Sequence, residues 1–391
     1  MDKIKIAFFA EILIEELDGA THTMFQLLKR IPENRFEFLF ICGTGPEKLF
    51  GFPCIKIPSI TLPVNTSYKI SLPQLASNRI REALHRFRPD LVHIATPSLL
   101  GQTGLRYARR YQLPVISIYH THFISYVDYY LKYLPCLIRP VKCKISEVQK
   151  NFYNQCDRIY VPSESIRQEL IDMHIEAERM RIWKRGIDTS LFNPAKRDPA
   201  FIQRITGNKL PTVLFASRLV WEKNLDTLFR IYDRMTDREL LCNMVVAGDG
   251  IAADHCRNRM KKAFFTGRLS HEELSVLYAS ADIFLFPSVS ESYGNVVVEA
   301  MASGLPCVIA HGGGSKDFIT QGINGFTCEP YNADDYANKI ARLLNNKALW
   351  AQIAQEGRRY SLRFDWNELA DTYFTEAADL CHAYLTEPAT L

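Results

Sequence analysis

Residues 281–310, ADIFLFPSVSESYGNVVVEAMASGLPCVIA, read as strand, loop, helix and strand in immediate succession, and no other stretch constrains the fold as tightly. Ile283–Phe286 is an apolar run of the kind a strand buried on both faces requires. Pro287 and the serines break it, and Ser288 or Ser290 is placed to cap the coming helix. Gly294–Ala302 reads as that helix, Gly304 and Pro306 stop it, and Cys307–Ala310 reads as the next strand. The loop therefore follows the carboxyl end of a parallel strand, where open α/β sheets bind ligands. The helix start behind it offers N–H groups to an anionic or hydroxyl-rich ligand. Glu291 lies in the loop and Glu299 in the helix. The plainer alternative is that Ser292, Asn295, Glu299 and Ser303, at helical spacing, form one solvated stripe.

The same alternation runs from end to end. Ile4–Phe9, Phe36–Cys42, Leu91–Ile94, Val115–Tyr119 and Arg158–Val161 read as strands, with helices over Thr21–Arg30 and Asn78–Phe87. In the second half, Thr212–Ala216, Asn243–Ala247, Ala263–Thr266, Ile283–Phe286 and Val308–Ala310 read as strands. Lys223–Met235, His271–Ala279 and Ala333–Leu344 read as helices between and beyond them. This predicts an α/β protein with two helix-covered parallel sheets. The boundary falls in the breaker-rich stretch Asp188–Pro211. The expected domains are residues 1–190 and 191–364, followed by an amphipathic helix within 365–391.

Composition narrows the class. A chain of 391 residues with 47% hydrophobic and 23% charged residues is that of a globular protein. No apolar run is long enough to span a membrane. The start, with its short apolar patch followed by acids, reads as a first strand rather than a signal peptide. Ten cysteines without a C-x-x-C pair, several in apolar segments such as Cys42, Cys242 and Cys307, argue for reduced, buried thiols and a cytoplasmic setting. The net charge of +4 is uneven: residues 1–190 hold 26 basic against 19 acidic groups. A basic half suits an anionic partner, or is simply a solvated basic face. No aromatic and basic motif for nucleic acid accompanies it, so no nucleic-acid partner is expected.

Strand Thr212–Ala216 leads into SRLVWEKN, which sets Arg218 and Lys223 beyond its carboxyl end. Two cations fixed there suit a diphosphate: arginine offers a bidentate fork and lysine a point charge, and together they neutralise charge that grows on a leaving group. Gly19, between the first strand and first helix, permits close approach of backbone to a ligand. The absence of a full G-x-G-x-x-G there argues against a dinucleotide-binding dehydrogenase. His120 and His122 end another strand, and a pair two residues apart with no third ligand makes a weak metal signal.

The string Glu291, Gly294, Glu299, Gly304 and Pro306 resembles the E-x7-E signature of retaining GT-B glycosyltransferases of family 4. SRLVWEKN resembles that family's phosphate-binding segment, and TGRLSHEELSVLYASAD (266–282) its segment beside the nucleotide base. Tyr119-His120-Thr121-His122, with Phe123, Tyr126 and Tyr130, resembles a segment of relatives that include lipid-directed mannosyl and sulfoquinovosyl transferases, with His122 where they carry aspartate. The resemblance implies two Rossmann-like domains facing a cleft, with the last helix crossing back to the first, acceptor-side domain. It implies that Arg218 and Lys223 bind the leaving diphosphate, that backbone near Arg268 and Leu269 holds the base, and that Glu299 grips the ribose. It also implies that Glu291 faces the donor sugar near the amides of Gly294 and Asn295, and that His120 contacts the reacting sugar or acceptor. Gly19 belongs to a partial match of the family's glycine signature on the acceptor side.

The activity implied by the resemblance is transfer of a hexose from a nucleotide diphosphate sugar to an acceptor hydroxyl with retention, without metal or other cofactor. A nucleotide-sugar epimerase of the same fold and a non-catalytic GT-B subunit stay open beside it. Residues 123–150 mix aromatic and aliphatic residues with Lys132, Arg139, Lys142, Lys144 and Lys150, opposed only by Asp128 and Glu147. Such a segment suits peripheral contact with an anionic membrane, on its inner face, and a lipid-linked acceptor. The alternative is that its aromatics pack inside the first domain.

Overall fold

The apolar runs assemble into two parallel sheets, each in its own unit, in a computed structural model that describes residues 3–15, 19–62, 65–119, 127, 135–291 and 293–386. The first unit holds β1 (Ile4–Ile12), β2 (Phe36–Thr44), β3 (Lys48–Leu49), β4 (Phe52–Lys56), β5 (Ser59–Leu62), β6 (Asn65–Ser71), β7 (Leu91–Ile94), β8 (Val115–Ile118), β9 (Arg158–Val161) and β10 (Met180–Ile182). Its sheet runs in the order β10-β9-β8-β7-β1-β2-β4-β3, parallel except for β3, while β5 and β6 pair antiparallel beside it. From β1 the chain steps to β2 on one side and later returns to β7 on the other, so the topological switch lies between β1 and β7.

Side chains alternate between the two faces of this sheet. Ile6, Phe8, Phe38 and Phe40 face one core, and Ala7, Phe9, Ile41 and Ile94 the other. The second core is covered by Ile80 and Leu84 of helix Ser77–Phe87 and by Leu100 and Leu105 of helix Leu99–Arg110. The first core is closed by the last helix, Trp366–Thr386, through Trp366, Tyr373, Phe374 and Ala377. His93 stacks on Phe8 at 4.2 Å and its Nδ1 lies 2.7 Å from the Tyr373 hydroxyl, which ties the end of the chain to the middle of the sheet. The Trp183 indole donates to the Leu369 carbonyl at 2.9 Å, and Arg158 and Tyr160 both reach Glu376.

The second unit is built on Gly186–Asp365. Its strands are β11 (Thr212–Ala216), β12 (Asn243–Ala247), β13 (Phe264–Gly267), β14 (Ile283–Phe286), β15 (Cys307–Ala310) and β16 (Phe326–Cys328). They run β13-β12-β11-β14-β15-β16, all parallel, with β11, β12, β14 and β15 wholly buried. Here the switch point lies between β11 and β14.

Several features depart from the sequence reading. The region Lys48–Ser71 forms four short strands that periodicity did not mark, and the edge strands β10 and β16 were likewise unmarked. The helix expected from Lys223 starts instead at Leu225, after a 3₁₀ turn Trp221–Lys223 and a left-handed Asn224 (φ 56°). All ten cysteines are free, as expected, but Cys54 and Cys242 are half-buried, and Cys136 and Cys143 exposed, rather than buried.

Candidate active site

Two loops meet at the switch point of the second sheet, because β11 and β14 are neighbours (Val213 opposite Ile283, Leu214 opposite Phe284) and both run the same way. The loop after β11 carries Arg218 and Lys223, and the loop after β14 carries Glu291. Lys223 is 6% exposed, and its Nζ donates directly to Glu291 Oε1. Ser288 Oγ donates to the same oxygen at 3.2 Å. Burial alone raises the proton affinity of Glu291, but the charge and hydrogen bond of Lys223, the Ser288 bond and the charge of Arg218 outweigh it, and the carboxyl sits below its usual range. A buried ion pair is held by this cross-bracing.

The two loops are stitched by further bonds. Asn224 Nδ2 donates to the Pro287 carbonyl at 3.0 Å, and Ser290 Oγ donates to the Glu222 carbonyl at 2.7 Å. Ser288 and Ser290 are therefore spent on the loops, which corrects their expected role as helix caps. The cap of helix Asn295–Ala302 is Gly294, left-handed at φ 86°, with no capping side chain. A Cβ on Gly294 would lie 2.6 Å from Ser315 Cβ, so the residue type is fixed both by the backbone and by the neighbour. The loop after β15 closes from the other side, where Gly314 N donates to the Glu291 carbonyl at 2.7 Å. Arg218 stays half-exposed, 4.0 Å from the buried Glu222 carboxylate.

Glu299 occupies the same helix, and the solvated-stripe reading fails on its neighbours. Ser303 is buried, and Glu299 itself is half-buried against the fully buried Tyr278 of helix His271–Ser280. Burial pushes the Glu299 carboxyl up to about 7, with the adjacent Tyr278 hydroxyl pulling weakly the other way. That hydroxyl completes no well-formed hydrogen bond with any described residue.

Of the residues singled out from sequence, Arg218, Lys223, Glu291, Gly294 and Asn295 come together at the switch point. Arg268 and Leu269 lie farther along the same edge, after β13, just ahead of the helix capped by the Ser270–Glu273 box. Arg268 is exposed and Leu269 half-buried. Gly19 opens helix Gly19–Leu28 of the first unit. His120, together with His122, Phe123, Tyr126 and Tyr130, lies outside the described residues. Sequence reasoning missed Ser288 as a partner of Glu291 and Tyr278 as the neighbour of Glu299. The first left a local trace, a serine three residues before the glutamate; the second left none. Among the described residues no group of three or more His, Cys, Asp or Glu could hold a metal ion.

Comparison with known proteins bears on both units. Residues 17–191 match the family described as Glycosyltransferase Family 4, and residues 198–360 match Glycosyl transferases group 1. The sulfoquinovosyl transferase of Arabidopsis thaliana is 31% identical over 82% of this chain, a match spanning 62% of the plant protein. A GDP-mannose-dependent alpha-mannosyltransferase of Corynebacterium glutamicum is 30% identical over 82% of this chain and 76% of its own length. Among solved structures, sucrose-phosphate synthase from Thermosynechococcus elongatus superposes with a TM-score of 0.77 at 20% identity, over 97% of this chain and all of that one. The Anabaena protein HepE, solved with UDP and glucose, gives 0.73 at 20% identity over 96% of this chain and 99% of its own.

Proposed function

This chain belongs to the family 4 and group 1 glycosyltransferases, and on that premise we propose that it moves a hexose from GDP-mannose or a UDP-sugar to an acceptor hydroxyl, forming an α-glycosidic bond. The observation that carries this reading is the Lys223–Glu291 pair braced across the second sheet's switch point, with Arg218 at its rim. Lys223 and Arg218 receive the diphosphate, the former as a buried point charge shared with Glu291. Their charge grows in value as the sugar–phosphate bond breaks, which is where fixed electrostatics accelerates a reaction. The acceptor hydroxyl attacks on the face the diphosphate leaves, a leaving phosphate oxygen takes its proton, and configuration is retained. Glu291 faces the donor sugar, and Glu299 takes the ribose hydroxyls. The two cations supply the positive charge, so the reaction runs without a metal ion.

The acceptor is sugar- or lipid-linked, delivered at an anionic membrane surface. In support, helix Pro135–Tyr153 exposes Leu137 (44%) and Val148 (42%) among exposed Arg139, Lys144 and Lys150, while Val127, the other described residue of 123–150, is buried. No helix among the described residues is long and apolar enough to cross a membrane. Incubation of the purified protein with GDP-mannose or UDP-glucose plus an anionic lipid extract tests the reading. It expects release of the nucleoside diphosphate and a product whose anomeric coupling in NMR is α. A β-linked product overturns retention, and no turnover with any nucleotide sugar overturns the enzyme reading.

A further inference from the structure

The Tyr278 hydroxyl is buried and has no hydrogen-bond partner among the described residues. Its ring is firmly seated. It meets Phe284 of β14 edge-on at 5.5 Å and Phe192 at 6.0 Å. The helix that carries it, His271–Ser280, is locked at its start by the Ser270–Glu273 capping box. A buried donor left unpaired is costly, so a phenol kept in such a seat, where phenylalanine would pack as well, calls for an acceptor at some stage of the protein's work.

The acceptor beside it is Glu299. Phe284 and Cys307 pair in register on β14 and β15, so their side chains leave the same face of the sheet. Tyr278 packs on the first, and the Cys307 thiol donates to the Val297 carbonyl of helix Asn295–Ala302 at 3.8 Å. The Tyr278 ring and that helix therefore lie side by side on one face, and the Tyr278 hydroxyl is the polar neighbour that acts on the Glu299 carboxyl. The other titratable group against the pair is the buried Cys307 thiol. Glu299 keeps part of its surface open, whereas Tyr278 does not. An ionised carboxylate accepts about four hydrogen bonds and a phenol donates one. A bond from Tyr278 on the buried side thus leaves the open side of Glu299 to a ligand's hydroxyls, and it fixes the rotation of the carboxylate that decides which lone pairs face outward.

We propose that Tyr278 is a positioning residue of the donor site, whose hydroxyl holds the Glu299 carboxylate from behind and turns its free lone pairs toward the ribose diol. This rests on the ribose role given to Glu299 above, but the Tyr278–Glu299 bond can be read without any ligand. Unfolding free energy against pH, taken as wild type minus Glu299→Gln and as Tyr278→Phe minus the double variant, follows Glu299 alone. Donation from Tyr278 favours the ionised form, so Tyr278→Phe moves the pH at which that difference levels off upward, by about one unit. In calorimetry, Tyr278→Phe weakens GDP or UDP binding about 10–100-fold, the range of a hydrogen bond to a charged group. In the Glu299→Gln background the same substitution changes affinity by less than about twofold, since the two residues act as one. A wild type that binds neither diphosphate, with the levelling point still moved, keeps the Tyr278–Glu299 bond and removes the donor-site reading. An unmoved levelling point, unchanged affinity where the wild type binds, or an equal loss with and without Glu299 overturns the proposal and leaves Tyr278 as a core residue.

Discussion

Glu299 should release a proton when the nucleotide arrives. Its carboxyl is pushed up to about 7 by burial in the ligand-free protein. Two ribose hydroxyls donating to it favour the ionised form and return it toward the ordinary glutamate value of about 4.3. The expected release is then about 0.9 proton at pH 6, about 0.5 at pH 7 and about 0.1 at pH 8. The same difference weakens nucleotide binding roughly 80-fold between pH 8 and pH 5. Calorimetry of GDP and UDP in buffers of different ionisation enthalpy counts the protons. The nucleotide titrates too, so the quantity to read is wild type minus Glu299→Gln. The sign also shows in stability. The folded value lies above the unfolded one, so the carboxylate costs stability above the unfolded value, most of all above pH 7, and nothing below it. Glu299→Gln should raise the unfolding midpoint at pH 8 and leave it unmoved near pH 4. Equal proton release and equal pH profiles in wild type and variant refute the reasoning.

Lys223→Ala and Arg218→Ala should each lower turnover by roughly 10²–10³, and Lys223→Ala should destabilise the more, by up to about 3–5 kcal/mol, because it removes a buried cation bonded directly to Glu291, whereas the half-exposed Arg218 stands 4.0 Å from Glu222. Since the Glu291 carboxyl is depressed, that stability gap is present above the usual glutamate range and closes as pH falls through the lowered value, which acid unfolding of both proteins checks. Gly294→Ala should cost more in calorimetric stability than Gly322→Ala, since both are left-handed but only Gly294 also meets a side chain at 2.6 Å; equal losses refute the steric account. Activity should survive EDTA, and complete loss restored by Mg²⁺ or Mn²⁺ contradicts the two-cation reading.

What the sequence disclosed tracks how strands are buried. β11, β12 and β14 are covered on both faces, so they read as unbroken apolar runs, and their bounds were legible to the residue. β4 carries Pro53 and alternates partly exposed positions, and β16 is three residues at an edge, so neither stands out from a loop. Lys223 was legible as a cation after a strand. Its position in a 3₁₀ turn was not, because that depends on the Asn224 side chain reaching the Pro287 carbonyl 63 residues away. Tyr278 beside Glu299 is of the same kind, two helices brought together by the core. Local chemistry was visible where a motif held it in one segment and invisible where tertiary packing made the pair.

The closure of the first core by Trp366–Thr386 sets an order of events during synthesis. A ribosome adding about 5–20 residues per second separates β1 from that helix by tens of seconds. Throughout that interval Phe8, Phe36, Phe38, Phe40 and Trp183 lack the partners that cover them, while Gly186–Asp365 is one unbroken stretch complete before the last helix emerges. The half made first is thus the half finished last. A nascent chain stalled before Trp366 should hold a protease-resistant second unit on a first unit that chaperones still bind.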